Sequence, residues 1–326
     1  MSSDEATESL IPHLAFAGGD GWRLLRCDLG AWGPALTEIC RRHRIRERSL
    51  TPQATGTAVV LRTGELVIKI FRPEDRRDCD LEAQALAIIS GRLPVPVPSL
   101  VARGDIGPCA YLVMTALDGE PMAEAWDQMD EHARVHIVEE VARGARALHE
   151  LPVDQPESLH RAWNEFITEQ RRTAAERQRA CGLAPALCEQ IDLFLDRASA
   201  AFSPPARLAL LHTEIMQDHL LVRREGRRWQ LSGLFDFADA LIGGTEYEFP
   251  AIGLFVTCGD PRLLRSFLLA YGLSPAALTV DWSCRLLAWT LLHRYANLSW
   301  YLRRLPLREP AGRLEELAGR WFGLGG

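Results

Sequence analysis

The sequence has almost no lysine. It carries 37 lysine and arginine residues in 326, and only Lys69 is a lysine. Wherever a surface cation suffices, arginine serves, so the site that keeps lysine calls for a compact ammonium that a planar guanidinium does not replace. Basic excess is missing too: the formal net charge is -6, which argues against non-specific nucleic-acid binding. The eight cysteines form no C-x-x-C pair, which excludes zinc-ribbon spacing and predicts reduced thiols. The longest apolar runs, such as Ala251 to Val256, are far too short to span a bilayer. The acidic start, Met-Ser-Ser-Asp-Glu, lacks the basic and apolar regions of a signal peptide. These absences predict a cytoplasmic protein with no membrane and no nucleic-acid partner.

What is present changes character along the chain. Residues 1–33 read as an extension. A helix is expected from Ala35 to His43, then strands over Ala58 to Leu61 and Glu65 to Phe71 joined by a Thr63-Gly64 turn. Asp80 to Ile89 reads as a helix. The prolines of 94–98 make an extended connector, and Tyr111 to Met114 is a short strand leading to a hinge near Gly119. Beyond it, helices are expected at Glu131 to Leu151, Trp163 to Arg179, Ala186 to Ala201, Pro261 to Leu273, Trp282 to Leu305 and Arg313 to Phe322. A β insert spans Leu208 to Val222 and Trp229 to Phe237. The expected class is α+β: a β-rich N-lobe over 34–117 and a mainly helical C-lobe over 118–326.

Four pieces carry chemistry. The loop Thr51 to Thr57 includes Gly56, which permits close backbone approach to a phosphate. A plain hairpin turn is the simpler reading. Lys69 lies on an apolar strand, where an unpaired ammonium is costly, and Glu82 on the next helix is its natural partner. The segment His212-Thr213-Glu214-Ile215-Met216-Gln217-Asp218-His219 sets a carboxylate and an imidazole five residues apart between apolar strands. Asp236 ends an apolar strand, a position suited to a hard cation such as Mg2+ or to a turn.

Together these pieces resemble the aminoglycoside phosphotransferases and related antibiotic kinases, such as the hygromycin kinases, with their two-lobed protein-kinase-like fold. Val-Ile-Lys69-Ile-Phe looks like the phosphate-binding lysine strand and Glu82 like its helix partner. Tyr111 to Gly119 looks like the hinge whose backbone, from Thr115 to Leu117, meets a purine. The usual catalytic motif H-G-D-x-x-x-x-N aligns with His212-Thr213-Glu214 and His219, and the metal-binding motif with Phe235-Asp236-Phe237-Ala238-Asp239. The resemblance implies a kinase using ATP or GTP with Mg2+. Gly56, Thr57, Lys69, Glu82, Thr115 and Leu117 would hold the nucleotide, Asp236, His219 and Asp218 the metal, and Glu214 with His212 would serve catalysis. The acceptor would be a small-molecule hydroxyl, cationic if it is an aminoglycoside.

Two positions depart from that motif. Glu214 stands where aspartate is usual, adding about 1.5 Å of reach, and a misplacement on the order of 1 Å costs roughly 100-fold in rate unless the loop compensates. His219 replaces an asparagine and is a softer ligand than an amide oxygen. Three readings stand: an active kinase with a remodelled loop, a nucleotide-binding pseudoenzyme, and a metal-dependent hydrolase using His212, Glu214, His219 and Asp236. Trp289, Tyr295, Trp300 and Tyr301 form either an acceptor wall or core packing. Glu246, Glu248 and Asp260 either meet a cationic substrate or make a solvated surface.

Overall fold

A computed structural model describes residues 10–12, 20–46, 50–53, 56–154, 157–198, 205 and 207–324. The chain divides into two compact units: residues 1–91, 96–118 and 235–239, and residues 92–95, 119–234 and 240–326.

The first unit is an antiparallel sheet. Helices α1 (Gly21–Leu25) and α2 (Leu29–His43) precede strands β1 (Leu50–Gln53), β2 (Val59–Thr63) and β3 (Leu66–Ile70). Helix α3 (Arg76–Ile89) and strands β4 (Leu100–Ile106) and β5 (Cys109–Thr115) follow. The strand order is β1-β2-β3-β5-β4. Alternation along β3 sends Ile68 and Ile70 into a core with Trp32, Leu36 and Ile39 of α2 and Tyr111 and Val113 of β5. Each such side chain contributes roughly 1.5–3 kcal/mol by leaving water. Lys69 takes the opposite face, where Glu82 of α3 meets it.

Helix α2 begins at Leu29 rather than Ala35, because Asp28 accepts a hydrogen bond from the Ala31 N–H and so caps it. Pro34 is absorbed inside the helix. The expected extension therefore contributes to the core: Ile11, Trp22 and Trp32 all pack there. The expected loop at Thr51 is already strand, since Leu50–Gln53 pairs with 60–63. Strand β4 was not expected at all; its burial alternates residue by residue, but its polar half hides that period.

The second unit is mainly helical. It begins with β6 (Glu120–Pro121) and α4 (Met122–Ala125), then α5 (Glu131–Glu150), α6 (Glu157–Ala180), α7 (Pro185–Cys188) and α8 (Ile191–Arg197). Strands β7 (Ala209–Leu211), β8 (Leu220–Glu225), β9 (Arg228–Leu234) and β10 (Leu241–Gly243) come next. Helices α9 (Pro261–Tyr271), α10 (Val280–Leu292), α11 (Leu298–Arg304) and α12 (Leu314–Trp321) close the unit. β7 pairs with β10, and β8 lies between β6 and β9.

Two expected helices are broken. Ala186 to Ala201 becomes α7 and α8, and its last three residues lie outside the described set. Trp282 to Leu305 becomes α10 and α11. Arg177 donates to the carbonyls of Leu291, His293 and Arg294, which satisfies the end of α10 and lets the chain turn. Among the described residues, no helix is long and apolar enough to cross a membrane.

Candidate functional site

In the first unit the single lysine is buried between two acids. Lys69 Nζ donates to Glu82 Oε2 at 2.8 Å and to Asp236 Oδ1 at 2.7 Å. It also lies 5.1 Å from the centre of the Phe71 ring. Burial pulls the ammonium down, but the Asp236 and Glu82 carboxylates outweigh it and hold Lys69 above its ordinary range. Burial pushes the Glu82 carboxyl up; Lys69 pulls it back, and Asp236 adds to the rise. The Phe237 backbone also donates to Glu82. Asp236 holds a φ of 68°, which an aspartate tolerates better than most residues.

Around this cluster the other expected nucleotide residues are placed as follows. Gly56 has a φ of 88° with open space where a Cβ would stand, so its turn needs glycine for conformation rather than for room. Thr57 is exposed, and its carbonyl accepts from Trp22 Nε1 at 2.7 Å. At the hinge, the Thr115 N–H donates to the Ser99 carbonyl and the Ala116 N–H to the Glu65 carbonyl. The Leu117 carbonyl accepts from Arg62, which also reaches Asp118. The hinge backbone is thus fixed by the first unit itself.

In the second unit, β7 and β8 hold the loop 212–219 at its two ends. His212 is fully buried. Its N–H donates to Glu248 Oε2 at 2.8 Å, and its Nδ1 accepts the Glu214 N–H at 3.2 Å. His212, expected among the catalytic groups, is thus bonded through its backbone N–H to Glu248 and through its ring to the Glu214 N–H. His219 Nδ1 donates to the Glu214 carbonyl at 2.8 Å. Both amide groups flanking the Glu214 Cα are thereby braced by a histidine. Thr213, just before Glu214, has a φ of 73°, at the position where the motif usually has glycine. A β-branched residue there is strained by about 1–3 kcal/mol and persists only where its surroundings over-determine it. They do: His293 Nε2 donates to the Thr213 carbonyl at 3.2 Å.

Glu248, expected to meet a substrate or to lie in water, is fully buried. Besides the His212 N–H it receives His149 Nε2 at 3.4 Å, and His149 Nδ1 lies 2.8 Å from the Tyr271 hydroxyl. Burial alone would raise the Glu248 carboxyl; His149 and His212 outweigh it and hold it below the usual carboxylate range. Glu246 is bound by Arg285 and by Trp289 Nε1. Asp260 caps α9 through the Arg262 and Leu263 N–H groups. The expected acidic cluster is thus three structural residues. Sequence reading missed the bracing by His149, Glu248 and His293, because partners 36 to 99 residues apart leave no local pattern.

Beside Glu214 opens a cleft of about 380 Å3, lined by Asp218, Phe255, Tyr295, Trp300 and Arg304 among others. The aromatic set divides: Trp289 and Tyr301 are buried, while Tyr295 is 50% and Trp300 43% exposed. Asp218 is exposed. Among the described residues, no three His, Cys, Asp or Glu side chains converge as a metal-holding group.

Comparison with known proteins bears on family and fold. The model of the phosphotransferase enzyme family, APH, matches residues 53–287. An aminoglycoside 3'-phosphotransferase of Streptomyces fradiae is 44% identical over 82 residues, covering 25% of this chain and 29% of that protein. Among solved structures, the fold is similar to the GDP complex of an aminoglycoside 2'-phosphotransferase-IIIa. There the TM-score is 0.65 at 17% identity, over 87% of this chain and 97% of the other. It is also similar to an aminoglycoside phosphotransferase, APH(3'')-Id, from Streptomyces rimosus with ADP and streptomycin. That match has a TM-score of 0.54 at 15% identity, over 79% and 97% of the two chains.

Proposed function

This chain belongs to the phosphotransferase enzyme family, and from that premise we propose that it moves the γ-phosphoryl group of ATP or GTP to a hydroxyl of a small molecule. The observation that carries the reading is the buried Lys69, the only lysine, held between Glu82 and Asp236. Two carboxylates on one ammonium leave the cluster net negative when both are ionised. A bare polyphosphate is repelled there, so nucleotide binding requires a divalent cation. Lys69 then exchanges Asp236 for phosphate oxygens while Glu82 keeps its orientation.

Asp236 fits a magnesium ion: it offers hard carboxylate oxygens, and its side chain is 30% exposed. The motif adds His219 and Asp218 to the metal, but among the described residues no three such side chains converge, so this reading rests the ion on Asp236. Bound Mg2+ would neutralise phosphate charge. Gly56 and Thr57 lie along the phosphates, and the backbone of Thr115 and Leu117 meets the purine edge. Glu214 orients the acceptor hydroxyl and takes its proton, with His212 setting the loop. Relatives solved with kanamycin or streptomycin make aminoglycosides the first acceptors to assay.

The test has two arms. Mg2+-ATP or Mg2+-GTP should raise the melting temperature, while nucleotide with EDTA, or a Lys69→Met variant, should not. Phosphoryl transfer, or slow nucleotide hydrolysis, should then be measurable. Protection without any turnover would instead establish the pseudoenzyme, which the Glu214 and His219 substitutions favour. Absence of both protection and turnover would sink both readings.

A further inference from the structure

The cleft beside Glu214 carries few groups for a polycation. Its acids are Glu214 itself and Asp218, and Arg304 adds a positive charge to the same lining. The three acids that the sequence offered to a cationic ligand are committed elsewhere: Glu246 to Arg285, Glu248 to the buried histidines, Asp260 to a helix cap. Aromatic surface, by contrast, is abundant and contiguous. Phe255 lies 5.8 Å from Trp300 and 5.3 Å from Tyr301 between ring centres, and Trp300 lies 5.6 Å from Tyr301. The Arg304 guanidinium sits 5.9 Å over the Trp300 ring, so a cationic ligand would compete with a resident cation for that face.

We infer that this cleft selects an acceptor with a flat apolar face and at most one positive charge, rather than a polycationic aminoglycoside. The inference rests on the proposed phosphotransferase reading, in which Glu214 orients the acceptor hydroxyl. Trp300 and Tyr295 supply stacking surface, and Met216 and Phe255 line the apolar floor. Asp218 and Arg304 present one acid and one base at the rim, which suits a neutral polar substituent. A volume of about 380 Å3 matches a compact drug-sized molecule. A polycation would set several ammonium groups against aromatic rings and Arg304, with Asp218 as the one acid besides the catalytic one.

The experiment is calorimetric titration of the whole chain with three probes. Two are uncharged and aryl-bearing: chloramphenicol, which is an aryl diol, and p-nitrophenyl β-glucoside. The third is kanamycin. At least one aryl probe should bind tenfold or more tightly than kanamycin, with little dependence on salt. Trp300→Ala should weaken the aryl probe about tenfold and Trp300→Phe should restore it. Arg304→Glu should improve kanamycin. The inference is overturned if kanamycin binds as tightly as the aryl probes or more so, if neither aryl probe binds, or if Trp300→Ala leaves aryl binding unchanged. Protection by Mg2+-nucleotide, measured separately, reports on the phosphotransferase reading itself, so the two failures are distinguishable.

Discussion

Glu214 is longer by one methylene than the usual acid, yet its loop is built around it. His212 receives its N–H and His219 holds its carbonyl, so the backbone is fixed and does not move to make up for a shorter side chain. Glu214→Asp should therefore lower kcat rather than restore it, by up to roughly 100-fold for a retraction on the order of 1 Å. Steady-state kinetics against the best acceptor checks this, and a gain in kcat would mark the native loop as impaired. Glu248 gives a second prediction at this scale. Its carboxyl is held below the usual 4.5, so its stabilisation is present above that value and is lost as pH falls through the lower folded one. Glu82, pushed up by burial, works in the opposite sense, so the informative quantity is the difference between native and variant. Glu248→Gln should lower the melting temperature at neutral pH, and its deficit should shrink below about pH 4.5. The Lys69–Glu82 pair was legible in the sequence because an ammonium in an apolar run calls for an acid nearby; the bond from Lys69 to Asp236, 167 residues away, was not. Nor was the role of Glu248, since an acid beside aromatics reads the same whether it faces water or the core.

At the scale of elements, boundaries are set by groups that satisfy helix ends. Asp260 begins α9 by accepting two N–H groups, and Asp260→Ala should cost about 1 kcal/mol, read as a lower denaturation midpoint. Helix α10 ends where Arg177 reaches the terminal carbonyls; this break frees His293 to hold the Thr213 carbonyl. Periodicity alone ran α10 and α11 together, because an apolar face continues across the gap and the capping arginine lies more than 100 residues away. The same periodicity found β3, α3, α5 and α9, whose apolar faces are not interrupted by distant partners. Strand β4 escaped it because its exposed positions are mixed in character.

For the whole molecule, one boundary between the two units, after residue 118, showed in the change of pattern there, though residues 92–95 and 235–239 cross that division. The part played by residues before 34 did not show, since their apolar side chains are sparse and become significant only when gathered: Ile11, Trp22 and Trp32 cover the sheet face that β3 and β5 present. Deleting residues 1–33 should expose that face and leave the chain aggregating or binding a hydrophobic dye, checked by size exclusion and dye fluorescence. Trp22 also ties the carbonyl of Thr57, so nucleotide protection should fail together with folding in that deletion.

The solitary lysine has a consequence for handling the protein. A protease specific for lysine finds one peptide bond to cut, Lys69–Ile70, in the middle strand of the five-stranded sheet. While that strand is paired on both sides the bond is inaccessible, and one opening event yields two fragments of fixed size. Digestion rate therefore serves as a built-in gauge of how often the first unit opens, indifferent to any loosening of the helical unit that leaves the sheet intact.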